Sequence, residues 1–160
     1  MLFRSHFTQG ELDPLIRMVE TLCLGDDPEG FRRAMEEADF LTPGAPIATE
    51  QVVAHMGLFY DSVRQRGPRT MTSEYSSALA RRYVDFKNPL AAYAKIPRPY
   101  VILQRINLGL FAVLGQMNAT ADWRGLSEEI WPFTQAPPST PMGEAEVAWI
   151  ASRAARARSG

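Results

Sequence analysis

PYVILQRINLGLFAVLGQM, residues 99–117, is the longest apolar stretch of the chain, and its reading decides the fold class. Pro99 stands where the first residue of a helix should stand, and the residues from Tyr100 to Met117 are apolar nearly all round. A helix crossing a bilayer would have to bury Gln104, Arg105, Asn107 and Gln116. A charged residue at mid-helix costs about 2.5–3.5 kcal/mol on insertion scales. The stretch therefore reads as a core helix of a water-soluble domain, buried on most sides. Gly109 and Gly115 lie inside it. Each costs about 1 kcal/mol against Ala in an exposed helix, so both predict close approach of neighbouring helices.

Helical spacing continues outward on both sides. Toward the N-terminus, Asp13-Pro14 reads as an N-cap and first residue, followed by an apolar stripe from Leu15 to Cys23 and a stop at Gly25. Asp27-Pro28 repeats the start signal, with Phe31, Ala34, Met35 and Ala38 as the stripe of a second helix. Residues 41–47 form a loop with two prolines and a glycine. Thr49 is the expected cap of a third helix, whose stripe runs from Val52 to Val63 and ends at Gly67-Pro68. Thr72 or Ser73 caps a fourth, with Tyr75, Ala78, Leu79, Tyr83 and Phe86 inward. Beyond the central stretch, Asp122 caps a short helix through Ile130. No run alternates apolar and polar for long, so strands are not expected. The prediction is an all-α domain of about six to seven helices. Its parts are a flexible N-terminus (1–11), a helical module (12–131), a proline-rich linker (132–143), and a C-terminal helix and tail (144–160).

With 160 residues and 46% apolar content, the chain has one domain's length and enough material for a core, which excludes wholesale disorder. Cys23 is the only cysteine, so an internal disulfide and a cysteine zinc site are excluded. The segment MLFRSHFTQGELDP has no apolar core of a secretory signal, and a cytoplasmic location is expected, at most peripheral to a membrane.

Net charge is −1, but it is unevenly spread. Residues 1–63 hold 4 basic and 11 acidic side chains; residues 64–105 hold 9 basic and 2 acidic. Opposite blocks of equal size are best explained by packing beside one another. The sharper alternative is a face for an anionic partner or membrane surface, with Arg64, Arg66, Arg69, Arg81 and Arg82 as candidates. Tyr75, Tyr83, Tyr93 and Tyr100 lie among these basic residues, as in single-strand binders, but the stripe positions of Tyr75 and Tyr83 favour core packing. A pI near 6.1 also speaks against a nucleic-acid partner.

Chemistry-bearing motifs are missing. There is no glycine-rich phosphate loop and no nucleophile elbow. His6 and His55 are the only histidines, and His55 has no carboxylate or second histidine one turn on. Cys23 falls on an apolar stripe and reads as a small core residue. Asp26-Asp27-Pro28-Glu29 lacks the spacing of a calcium loop and reads as capping. Glu36-Glu37 and Glu128-Glu129 are adjacent and point apart on a helix, so neither is an acid–base pair. Asp39-Phe40-Leu41 and Asp85-Phe86-Lys87 each lack the glycine of a kinase metal-binding motif. No catalytic, cofactor or metal residue is expected.

Three stretches carry a resemblance. They are Leu24-Gly25-Asp26-Asp27-Pro28-Glu29-Gly30-Phe31 with Ala38-Asp39-Phe40-Leu41-Thr42-Pro43-Gly44, then Ile96 to Arg105, then Gly109 to Ala119 with Trp123 after it. In this order they resemble the C-terminal, all-helical part of the AarF/UbiB family of atypical protein-kinase-like proteins, over roughly residues 12–135. The resemblance implies the end of a kinase-like C-lobe. Full-length members bind ATP with magnesium and are linked to quinone and isoprenoid-lipid metabolism. Their lysine, catalytic-loop and metal-binding motifs lie upstream of the matched part and do not occur here, so none of their catalytic residues transfers.

Three readings follow. The first is a non-catalytic helical module that would pack on an N-terminal kinase-like partner or self-associate through an exposed apolar face, encoded as a truncated or split reading frame. The second is a free-standing interaction module whose block 64–105 meets an anionic surface, with salt-sensitive binding. The third, a small enzyme with a dispersed site, has no sequence support.

Overall fold

The computed structural model describes residues 7–83, 85, 87–131 and 133–158, with the side chains of residues 83, 157 and 158 left aside. The expectations placed on His6, on the Tyr83 side chain and on Phe86 fall outside what is described. Seven helices make up the described chain: α1 (Gln9–Val19), α2 (Pro28–Glu37), α3 (Thr49–Met56), α4 (Ser73–Tyr83), α5 (Val101–Gln116), α6 (Trp123–Ile130) and α7 (Pro141–Arg158). The domain is all-α, as its periodicity predicts.

α1 starts earlier than Asp13-Pro14 suggests. The Thr8 hydroxyl accepts from the Glu11 backbone N–H, and the Glu11 carboxylate accepts from the Thr8 N–H at 2.7 Å. That reciprocal box satisfies two end groups, where an aspartate cap satisfies one. Pro14 then falls inside the helix, and it is buried. The helix closes with one wide turn, Glu20–Leu24, in which the Gly25 N–H reaches the Glu20 carbonyl at 2.8 Å. Asp27 caps α2 by accepting from the Gly30 N–H, with Pro28 first in the helix, as expected.

The third helix is shorter than its stripe predicts. Ala48, not Thr49, is the cap, and the α-helix gives way at Gly57 to a tight 3₁₀ segment (Gly57–Tyr60) and a single turn (Asp61–Arg64). Thr72 caps α4, its hydroxyl accepting from the Tyr75 N–H at 3.2 Å. Among the described residues, strand structure is limited to one antiparallel pair, β1 (Arg69–Thr70) with β2 (Thr120–Ala121), and one bridge between Leu41 and Ala94. These pieces are too short for any alternation to show.

The core joins α1, α2 and α3 to the segment 89–100. Phe31, Met35, Leu41, Val52 and Leu90 are fully buried at its centre. Phe31 meets Tyr60 edge-on at 5.7 Å, and Phe40 stacks on Tyr100 at 4.9 Å. The Tyr100 hydroxyl donates to the Glu11 carbonyl, which ties α5's entry to α1. Two backbone bonds, Thr42 N–H to the Tyr93 carbonyl and Lys95 N–H to the Phe40 carbonyl, hold the loop after α2 to this segment.

α5 departs from its expected burial. Its inner face packs on α4 at Gly115, where an added Cβ would lie 2.9 Å from the Thr72 carbonyl oxygen and closer still to the Ser76 hydroxyl. The Ser76 hydroxyl donates across this contact to the Phe111 carbonyl at 2.6 Å. Gly109, by contrast, has nothing within 4 Å of where a Cβ would stand. The apolar sequence is uniform round the helix, but only one side of it is covered by the described residues. α7 begins at Pro141, three residues before the expected Glu144, and of the residues from Pro141 to Arg156 only Gly143 is buried.

Candidate functional site

The five candidate arginines do not form one free cationic face. Arg64 stands 3.7 Å from Asp26 and 3.8 Å from Asp61. Arg66 pairs with Glu128. Arg69 donates to the Asp61 carbonyl and to the Gln65 side chain, both at 2.9 Å. Arg81 is exposed, and Arg82 makes one long hydrogen bond, 3.5 Å, to the Ala54 carbonyl. These last two lie eight or nine residues along α4, about 12 Å from its start. Lys95 pairs with Asp39 at 2.7 Å. Two charges of the basic block, Arg64 and Lys95, thus pair with acidic residues of the N-terminal block within the fold.

A charge constellation that sequence spacing did not single out sits on α6. Arg124 and Glu128, one helical turn apart, are both buried and paired at 2.6 Å. Nη1 of the guanidinium donates to the Cys23 carbonyl at 2.7 Å and to the Val63 carbonyl at 2.9 Å. Those carbonyls belong to the wide turn after α1 and to the turn at Asp61, where helix ends leave acceptors without an intrahelical donor. The guanidinium carbon lies over the Trp131 ring, 5.6 Å from its centroid. Glu129 points the other way, to the N–H and hydroxyl of Ser139 at 2.7 Å, which holds its carboxyl below the usual range. The adjacent pair is divided between inside and outside, as helix geometry requires. Its signal was the Arg-x-x-x-Glu spacing, which is equally common on solvated faces. Burial alone distinguishes the two.

The other candidates take structural places. Burial pushes the Cys23 thiol up to about 11, against the pull of Arg124 and Arg64, so it is a thiol and not a nucleophile at neutral pH. Burial, then the Arg82 charge, lowers the His55 imidazole, with Asp85 opposing. Among the described residues, no three His, Cys, Asp or Glu side chains gather to share a metal ion. Tyr100 is buried, and Tyr75 and Tyr93 are half-buried, so these three do not form an open stacking platform.

The outer face of α5 is the feature with the least structural explanation. Ile102, Ile106, Leu110, Val113 and Met117 recur at intervals of four and three, which places them on one side of the helix. All are open to solvent, from 45% at Ile102 to 69% at Met117. Gly109 lies among them, and Arg105 and Gln116 are the polar members of the same exposed side. Single exposed hydrophobics are ordinary, whereas an aligned row of five marks a surface that another element covers. Among the described residues, no helix is long and apolar enough to cross a membrane.

No family model matches the chain, and no curated protein or solved structure matches it either.

Proposed function

We propose that this chain is a non-catalytic helical module of the AarF/UbiB kinase-like type, and that the outer face of α5 docks on an N-terminal kinase-like partner. The row Ile102–Ile106–Leu110–Val113–Met117 carries the reading, because it has the spacing of a buried helix and no cover among the described residues. Gly109 lets a facing backbone approach that row without a side chain in the way. The stretches that bear the family resemblance also support it by their contacts. Phe40 of the first packs on Tyr100 of the second, and the second runs directly into the third along α5. In this reading the module supplies contact surface, and ATP and magnesium belong to the partner.

The test is co-expression with the N-terminal kinase-like part of an AarF/UbiB protein, followed by size-exclusion chromatography. A stable complex is expected for the chain as it stands. The double substitution Ile106→Glu, Leu110→Glu should abolish it while leaving the circular dichroism spectrum unchanged, since neither side chain contributes to the core. A chain that stays alone in both forms, yet binds anionic vesicles with steep salt dependence, would replace this reading with a membrane-surface module.

A further inference from the structure

A cavity of about 370 Å³ lies on the opposite side of α5 from the exposed row, between that helix and the layer of α1, α2 and α3. Its walls are mainly apolar, with Met18, Phe31, Leu103, Leu108 and Phe111 among them. Its polar lining includes His55, Arg82, Asp85, Lys95, Gln104 and Asn107. That volume equals roughly a dozen water molecules, and it falls at the small end of ligand-sized pockets.

Several of these polar groups have hydrogen-bonding capacity left over. Gln104 and Asn107 are half-buried, three residues apart on one face of α5, and their amides make no hydrogen bond among the described residues. The Asn88 amide N–H donates to His55 Nδ1 at 3.0 Å, so in the neutral ring Nε2 carries the proton. Nε2 has no acceptor among the described residues. Lys95 is committed to Asp39, and Asp85 accepts from the Lys87 N–H at 3.3 Å. Arg82 has no carboxylate within ion-pair distance among the described residues, and its one protein bond is the 3.5 Å contact to Ala54. An apolar space is therefore bordered by one uncommitted cation, one imidazole N–H and two amides.

We infer that this cavity binds a free medium-chain carboxylic acid, with its carboxylate on Arg82 and the His55 Nε2–H and its hydrocarbon chain among Leu103, Leu108 and Phe111. The guanidinium fork matches a carboxylate, and charge-assisted bonds of this kind are the stronger class. Asp85 at the same rim requires the head group to be held by direct bonds and not by the field of a basic patch. The site is separate from the outer face of α5 and stands whether or not that face docks a partner.

The experiment is isothermal titration of the full chain with decanoate, and with decan-1-ol as the uncharged comparison. One saturable site is expected for decanoate, with decan-1-ol at least about tenfold weaker, the scale of one charge-assisted hydrogen bond. Leu108→Trp fills the space and should abolish binding of both. Arg82→Gln should weaken decanoate about tenfold and leave decan-1-ol unchanged, which keeps the test open if the tryptophan variant does not fold. Ile106→Ser, on the outer face, should change neither. The absence of saturable binding overturns the inference. So does equal binding of acid and alcohol with Arg82→Gln silent, or loss of decanoate binding in Ile106→Ser.

Discussion

At the scale of single residues, Arg124 ties together parts of the chain that lie far apart in sequence. It neutralises Glu128 and caps two helix-end carbonyls at once. Arg124→Met would leave the Glu128 charge with only the exposed Arg66 and strip both carbonyls of their donor. A loss of about 3–5 kcal/mol is expected, read as a lower urea midpoint. His55 gives a second expectation with a defined sign. Its folded-state value lies below the ordinary 6.5, so the unfolded chain takes up the proton first as pH falls. The stabilisation is complete above pH 6.5 and is lost as pH drops through the lower folded value. Melting temperature should therefore fall between pH 7 and pH 5.5, and His55→Gln should flatten that part of the profile. Residue identity alone showed Cys23 and the Asp27 cap correctly, because each depends on near neighbours. It did not show Arg124, because its acceptors lie 101 and 61 positions away.

At the scale of elements, the two glycines of α5 separate what periodicity can and cannot say. Both sit in the same apolar run, yet only Gly115 faces another helix. Gly115→Ala would push a methyl group against the Thr72 carbonyl and the Ser76 hydroxyl, and α4 and α5 would have to part. About 1–3 kcal/mol of destabilisation is expected. Gly109→Ala meets no atom and should stabilise by up to about 1 kcal/mol through helix propensity. Chemical denaturation of the two variants side by side checks both. Helix number and most positions were legible from 3.6-residue spacing, and the caps at Asp27, Thr72 and Asp122 were legible from local chemistry. The start of α1 was misplaced because Asp-Pro competes with a Thr-x-x-Glu box, and the box satisfies more backbone groups. Burial of α5 was overestimated for a different reason. Composition tells which side chains would prefer to be covered, and says nothing about whether a cover is present.

At the scale of the whole molecule, the core ends before the last helix. α7 carries Met142, Val147, Trp149 and Ile150 more than half exposed, and its anchorage among the described residues is at its entry, through Ser139 on Glu129 and the burial of Gly143. A chain ending at Thr140 should unfold at the same temperature within about 2 °C, as differential scanning calorimetry would show, because little buried surface is removed. The candidate sites were less legible than the fold. The exposed row and the cavity are the two sides of one helix, and a sequence that is apolar all round does not tell them apart. The basic block was legible as a charge, but its pairing with Asp26, Asp39 and Glu128 required the tertiary structure. The position of Arg124 also bears on time. Its bonds to the Cys23 and Val63 carbonyls span 101 and 61 positions, so this contact closes long loops and should form after the rate-limiting barrier has been crossed. Arg124→Met should then leave the refolding rate nearly as it was and place its whole effect on the unfolding limb of the chevron. The buried guanidinium would act as a latch that sets the lifetime of the native state and leaves its rate of formation alone.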